Sequence, residues 1–403
     1  MSSGITRASA GPLPEPVHAD TAKRTARRKG TSVIHRARRA LVTVAALVLT
    51  GVGVATYATA LPADGETGTM PYAVEDFSHS LQAKTGPLRV VTWNICGDAG
   101  SARGDGGYCP QRNFPAKKIQ ALTDLVAKHD ANVIMLQEAC GYTAHPGEPT
   151  ANEKLSHMWR LDQVLSDDWQ LVHAPGTRAD GSKDCRPGSE PGLEGPFVGG
   201  DIGVLIAVKG GFAPGRTQIV ESLPRDLTAA DFTQLPAAES GNVLTQELQK
   251  LAKRKSPVLC VRPNAWAEKL CTTHLVPGLK GKKFPDIVRT LQSQLIRNEL
   301  VTDFRNGIVI GGDLNASATS ATLGGISGDL DRCATDPALH THQTWTGATP
   351  STYTLDHLFT DRRPGHHFSS CQVDQTLMDM THQTPDTLPT TGVSDHAPVI
   401  AYF

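Results

Sequence analysis

Ile308-Val309-Ile310-Gly311-Gly312-Asp313-Leu314-Asn315 is the stretch on which the reading of this chain turns. Three consecutive β-branched residues read as a buried strand. Two glycines then permit close approach of the backbone, while a carboxylate and an amide project just beyond the strand end. The pattern predicts polar chemistry presented on the rim of a sheet. Upstream, 286–301 places Ile287, Leu291, Leu295, Ile296 and Leu300 on one side of an amphipathic helix. Further strands are expected over 88–94, 132–138, 202–208, 258–261, 269–275, 352–359 and 397–403, and further helices over 116–129 and 151–165. Two long stretches, 175–200 and 210–256, read as insertions, the second partly helical. Strand, helix and paired strand alternate without a break in composition beyond residue 86, which predicts one large α/β domain over 87–403 behind a polar linker, 64–86.

The N-terminal part is of another kind. Of 39 Lys+Arg and 40 Asp+Glu in 403 residues, nine basic and two acidic side chains fall within 1–63, so 30 basic and 38 acidic residues remain beyond it, a net charge of -8. The uncharged run 40–61 follows the basic segment and ends in Ala58-Thr59-Ala60-Leu61-Pro62-Ala63, small residues at the spacing a signal peptidase reads. Residues 1–63 therefore read as an export signal, or as a retained membrane anchor with the catalytic part outside. The 38 Gly and 27 Pro follow no fixed period, which excludes collagen and solenoid repeats.

All eight cysteines (Cys96, Cys109, Cys140, Cys185, Cys260, Cys271, Cys333 and Cys371) lie beyond that segment. They lack the paired spacing of a zinc site, so disulfides in an oxidising compartment are expected. Cys260 and Cys271 flank a turn-rich stretch between two strands and are the pair expected to face each other.

Polar residues recur at strand ends: Trp93-Asn94, Gln137-Glu138, Thr273-His274-Leu275, Gly312-Asp313-Leu314-Asn315, Leu355-Asp356-His357 and Ser394-Asp395-His396-Ala397-Pro398-Val399. Taken alone, each is an ordinary turn former or solvated charge. As an ordered set over 88–403 they resemble the endonuclease/exonuclease/phosphatase superfamily, the deoxyribonuclease I-like metal-dependent phosphodiesterases. The resemblance implies a four-layer α/β/β/α sandwich of two mixed β-sheets flanked by helices. It also implies a Mg²⁺ site, with Mn²⁺ or Ca²⁺ as possible substitutes, at Glu138, Asp395 and Asn94, the last as ligand or orienting amide.

By the same resemblance His396 is the general base on water, oriented by Asp356. His274 donates to the phosphoryl oxygen or leaving group, and Asp313 and Asn315 orient the nucleophile and bind phosphate. On an extended strand His357 points away from Asp356 and is left out. Arg289 and Gln292 match a further element of the family pattern, and a solvated helix face accounts for them equally well.

The scaffold leaves the substrate open. A monomeric secreted nuclease acting on DNA or RNA is the first expectation, although a net charge of -8 is poor support for binding a polyanion. The basic clusters Lys250, Lys253, Arg254 and Lys255, and Lys280, Lys282 and Lys283, are candidates for one edge of a cleft. A phospholipid or small phosphoester is the alternative. A lipid-cleaving member should carry an exposed aromatic hairpin, and the second insertion offers only Phe212 and Phe232. A catalytically silent binding module is disfavoured, because every motif position holds a chemically competent residue.

Overall fold

The computed structural model describes residues 86–97, 109–111, 114–143, 147–185, 198–224, 226–278, 281–346, 349–378 and 392–403. All belong to one unit, Glu75–Phe403. The expected export segment and all of the expected linker but residue 86 lie outside the described residues. Among the described residues no helix is long and apolar enough to cross a membrane.

The strands, in chain order, are β1 (Arg89–Asn94), β2 (Val133–Gly141), β3 (Trp169–Pro175), β4 (Asp201–Lys209), β5 (Phe212–Glu221), β6 (Pro257–Pro263), β7 (Lys269–His274), β8 (Ile308–Asp313), β9 (Leu330–Arg332), β10 (His342–Thr346), β11 (Thr349–Tyr353), β12 (Asp356–Asp361), β13 (Ser370–Val373) and β14 (Val399–Tyr402). The helices are α1 (Pro115–His129), α2 (His157–Val164), α3 (Asn242–Lys253), α4 (Phe284–Glu299), α5 (Val301–Asn306) and α6 (Gly324–Ser327).

One sheet runs β13-β14-β1-β2-β4-β3 and the other β5-β6-β7-β8-β12-β9, with β10-β11 as a separate ribbon. Each sheet is mixed, because it contains one parallel pair: β1 with β2, bridged by α1, and β7 with β8, bridged by α4 and α5.

Apolar residues on both faces of the central strands explain their continuous hydrophobic runs. Val90, Met135 and Ile206 of the first sheet pack against Leu259, Val309 and Leu358 of the second. Their neighbours in sequence, Val91, Ile134 and Leu205, face outward onto Ile119, Leu122 and Leu125 of α1. On the opposite side Ile308 and Ile310 pack with Ile296 and Leu300. Three apolar layers between four layers of secondary structure make the expected α/β/β/α sandwich.

The eight cysteines form four disulfides, Cys96–Cys109, Cys140–Cys185, Cys260–Cys271 and Cys333–Cys371. Cys260 and Cys271 are direct cross-strand partners of β6 and β7.

Several boundaries differ from the sequence reading. The helix expected over 151–165 breaks into a short turn and α2, because Ser156 is extended and caps the second piece by accepting from the Trp159 N–H at 3.1 Å. The strand expected over 352–359 is two strands, with Asp356 opening β12 rather than lying inside a strand. Thr341 Oγ1 accepts from the N–H groups of Leu355 and Asp356 at 2.9 and 3.0 Å and turns the chain there. Residues 212–221 are an edge strand of the second sheet, so the second insertion is shorter than expected. Both of its phenylalanines, Phe212 and Phe232, are buried.

Three fully enclosed histidines carry a consequence for stability. Burial holds His157 near a pKa of about 3 and His173 and His357 near about 4. The unfolded chain thus binds more protons than the native one between those values and the ordinary histidine pKa. Stability should fall as pH drops below roughly 6.5, by about 1.4 kcal/mol per pH unit for each such histidine. Thermal melts between neutral pH and pH 4.5 check this, and an unchanging melting temperature across that range contradicts it.

Candidate active site

The carboxyl ends of the two parallel strand pairs place Asn94, Glu138, His274 and Asp313 in one region, to which the start of β12 adds Asp356 and the segment before β14 adds Asp395 and His396. A cavity of about 860 Å³ opens there, lined by Glu138, His274, Asp313, Asn315, Asp395 and His396 among others.

Asp313 is the hub. Its Oδ2 accepts from Asn94 Nδ2 at 3.0 Å and lies 3.3 Å from His274 Nε2 and 3.7 Å from His396 Nε2. Its Oδ1 accepts from the Asn315 N–H at 2.9 Å, while Asn315 Nδ2 donates to the Leu275 carbonyl at 3.1 Å. Burial works against ionisation of Asp313, but His396, His274 and the Asn94 amide hold its carboxyl well below the usual range. Gly312 is needed for this arrangement: its φ is +139°, and a Cβ there would stand 2.1 Å from the Thr273 carbonyl oxygen.

His396 Nδ1 lies 2.8 Å from Asp356 Oδ2. Burial opposes a charged imidazole, yet Asp356, Asp313 and Asp395 lift it well above the ordinary histidine value, and burial pushes the Asp356 carboxyl up. The His274 imidazole is also raised, Asp313 and Glu138 outweighing burial. His357 turns away, its Nε2 2.9 Å from the Ala316 carbonyl.

Glu138 leaves the pleat at a bulge. The pairing of β2 with β4 shifts between Leu136 and Ala139, and Glu138 has φ +49°. Asn94 Nδ2 donates to Glu138 Oε1 at 3.2 Å, and Asn94 Oδ1 is occupied by the Cys96 N–H at 2.9 Å. Burial and the nearby Glu138 charge push Asp395 up to about 6, and its buried Oδ1 has no hydrogen-bond partner among the described residues. Like charges and an unsatisfied hard oxygen in one cleft suit a divalent cation. Among the described residues, donor atoms converge within 4.8 Å in two sets, His342–Asp395–His396 and Asp313–Asp356–His396.

Four residues at the site escape the sequence reading of their roles. His342 stands with its ring 4.3 Å from that of His396, and burial followed by the His396 charge holds it near a pKa of about 3. Lys118, on the apolar side of α1, donates to the carbonyls of Ile95 and Val393 at 2.7 Å and of Cys96 at 3.1 Å, and burial lowers its pKa to about 7. It thereby ties together the segments that follow Asn94 and precede Asp395.

Arg289 and Gln292 are buried, at 4% and 0% exposure, which removes the solvated face from the two readings the sequence left open. Arg289 donates to the Val276 carbonyl at 2.9 Å and Gln292 accepts from the Val276 N–H at 3.0 Å, so α4 clamps the chain two residues beyond His274. Of the basic clusters, Arg254 and Lys255 line the cavity; Lys250 pairs with Glu247, Lys282 and Lys283 lie away from the cavity lining, and Lys280 lies outside the described residues.

The model of the Endonuclease/Exonuclease/phosphatase family matches residues 91–396. No curated protein matches the chain. Among solved structures, an endonuclease/exonuclease/phosphatase family protein from Leptotrichia buccalis is similar at 13% identity and a TM-score of 0.45, covering 78% of this chain and 98% of its own. A mannosyl-6-phosphatase from Bacteroides thetaiotaomicron is similar at 13% identity and a TM-score of 0.46, with the same coverages. The human Nocturnin catalytic domain with bound sulfate is similar at 15% identity and a TM-score of 0.40, covering 78% and 92%.

Proposed function

The chain belongs to the endonuclease/exonuclease/phosphatase family, and from that premise we propose that it is an exported, monomeric, Mg²⁺-dependent phosphodiesterase whose first substrate class is nucleic acid. The observation that carries this reading is the convergence of the His396–Asp356 pair on Asp313 within a cleft that also gathers Glu138 and Asp395.

Each side chain has a part in hydrolysis. With Nδ1 held by Asp356, His396 takes the proton of an attacking water at Nε2. Asp313 fixes that water, and Asn315 holds the phosphate. His274, kept on the proton-rich side by Asp313 and Glu138, donates to the phosphoryl oxygen or to the departing oxygen. Glu138 and Asp395 would hold the ion, with Asn94 as ligand or as the amide that orients Glu138. When bound, the cation neutralises charge developing on the phosphoryl oxygens. Four disulfides fit an oxidising compartment and so support export.

A substrate panel tests the reading: plasmid DNA, RNA, sphingomyelin vesicles and inositol phosphates, each with Mg²⁺ and with chelator. Cleavage of DNA or RNA that chelator abolishes is the expected result. Hydrolysis of none of the four with any divalent ion would refute it.

A further inference from the structure

Along the edge of the second sheet, four neighbouring strands carry the site in order. Arg254-Lys255 precedes β6, His274 ends β7, Asp313 ends β8 and Asp356 opens β12. Beyond Asp356 the order continues through His396 to the β10-β11 ribbon. There His342 bridges to His396 and pairs in register with Tyr353. Directly paired residues share a face, and the His342 and Tyr353 rings are 6.0 Å apart. Tyr353 is 46% exposed and lines the cavity.

On the opposite flank Thr177 and Lys255 exchange backbone hydrogen bonds of 3.1 and 3.3 Å, which sets Arg178 beside Arg254 and Lys255 on the cavity wall. The Cys140–Cys185 disulfide ties the Arg178 segment to β2. Ser256 Oγ donates to the His274 carbonyl at 3.2 Å, fastening the basic strip to the strand that carries His274. The Arg254 charge reaches that imidazole. The proposed reacting groups therefore lie between an exposed aromatic ring and a basic wall.

We propose that the cleft binds single-stranded nucleic acid, with an unpaired base stacked on Tyr353 and the phosphate beyond the scissile one held by Arg254 and Arg178. The proposal rests on the phosphodiesterase reading above and adds its substrate class. A stacking platform beside a cationic track is the chemistry that holds unpaired strands, because a base already stacked in a duplex has no free face for the ring. A choline phospholipid presents one phosphate, which the reacting groups would take, and so makes no use of a cationic track beside them.

The experiment uses the full chain with Mg²⁺ and compares Tyr353→Ala, Tyr353→Phe and Arg254→Gln on a single-stranded DNA oligonucleotide, on an abasic phosphodiester chain of the same length, on the duplex and on phosphatidylcholine vesicles. Tyr353→Ala is expected to lower kcat/KM on the base-bearing strand by about 5- to 150-fold, chiefly through KM, and Tyr353→Phe to restore it. On the abasic chain Tyr353→Ala should change the rate less than about twofold, because there is no base to stack. Arg254→Gln should weaken both chains by about tenfold and flatten their salt dependence. Equal losses for Tyr353→Ala on both chains, no loss for Arg254→Gln, or faster cleavage of duplex than of single strand would overturn the proposal. Wild-type hydrolysis of vesicles in preference to nucleic acid overturns it while leaving the phosphodiesterase reading standing. Hydrolysis of nothing removes that reading itself.

Discussion

His396→Ala is expected to lower kcat for phosphodiester hydrolysis by about three to four orders of magnitude. The size of the effect follows from what the imidazole alone supplies: Nδ1 is held 2.8 Å from Asp356 and Nε2 faces the cavity 3.7 Å from Asp313, so one ring orients and accepts the proton. The surrounding backbone keeps its own bonds. Trp93 Nε1 donates to the His396 carbonyl at 2.8 Å, and the His396 N–H donates to Ser394 Oγ at 3.1 Å. Circular dichroism and a cooperative melt should therefore show a folded variant, and His396→Gln gives a second inactive protein if the alanine leaves too large a void.

Asp356→Asn separates orientation from proton transfer. Burial opposes a charged His396, and Asp356 is foremost among the carboxylates that outweigh it. For the wild type, kcat/KM should rise with pH as His396 loses its proton. In Asp356→Asn that rising limb should move to lower pH, while the plateau drops by about a hundredfold or more. A His396→Ala protein that retains wild-type turnover excludes the imidazole as the base.

What was legible in the chain, and what was not, divides along burial. The run from Ile308 to Ile310 reads as a strand because alternate residues meet different apolar layers, Val309 the inter-sheet core and its neighbours the helix side. Gly312 before Asp313 is legible because only a residue without Cβ tolerates the Thr273 carbonyl at that distance. By contrast β3, Trp169–Pro175, is mostly half-buried; Leu171 and Val172 are consecutive and the buried position between Val172 and Ala174 is a histidine, so no clean alternation marks it. Arg289 and Gln292 are polar and buried at once: they satisfy the N–H and C=O of Val276, and a pattern that assigns polar residues to solvent misplaces them. Lys118 was hidden in the same way. It falls next to Ile119 on the apolar side of α1, and only the three carbonyls that meet its ammonium explain a lysine there. The partnership of His342 with His396 joins residues 54 apart through a ribbon rich in Thr, Ser and Gln, so no local pattern announces it.

Glu138→Gln should remove metal binding while sparing the fold, and its readout does not depend on turnover. The bulge in β2 frees Glu138 from strict alternation: Leu136 and Ala139, three apart, both face the helix side, and Glu138 between them is turned toward the cleft in the left-handed region. That backbone is held by the Gly97 N–H donating to the Glu138 carbonyl at 2.9 Å, a bond that glutamine keeps. The side-chain charge is what changes. In the wild type Glu138 adds to burial in pushing Asp395 up to about 6, a repulsion that a divalent cation relieves. Neutralising Glu138 removes both the repulsion and the ligand.

The wild-type melting temperature should therefore rise on adding Mg²⁺, as a ligand specific to the native state stabilises by about 2.7 kcal/mol at a hundred times its dissociation constant. In Glu138→Gln that rise should vanish, the metal-free protein should melt no lower than wild type, and kcat/KM should fall by about two to three orders of magnitude. A variant that retains the Mg²⁺-dependent rise places the ion elsewhere, with the two convergent sets around His396 as the next candidates. A variant that loses activity but melts well below wild type without metal would instead make Glu138 a structural residue, since repulsion between Glu138 and Asp395 requires the Glu138 charge to cost the metal-free fold stability rather than supply it.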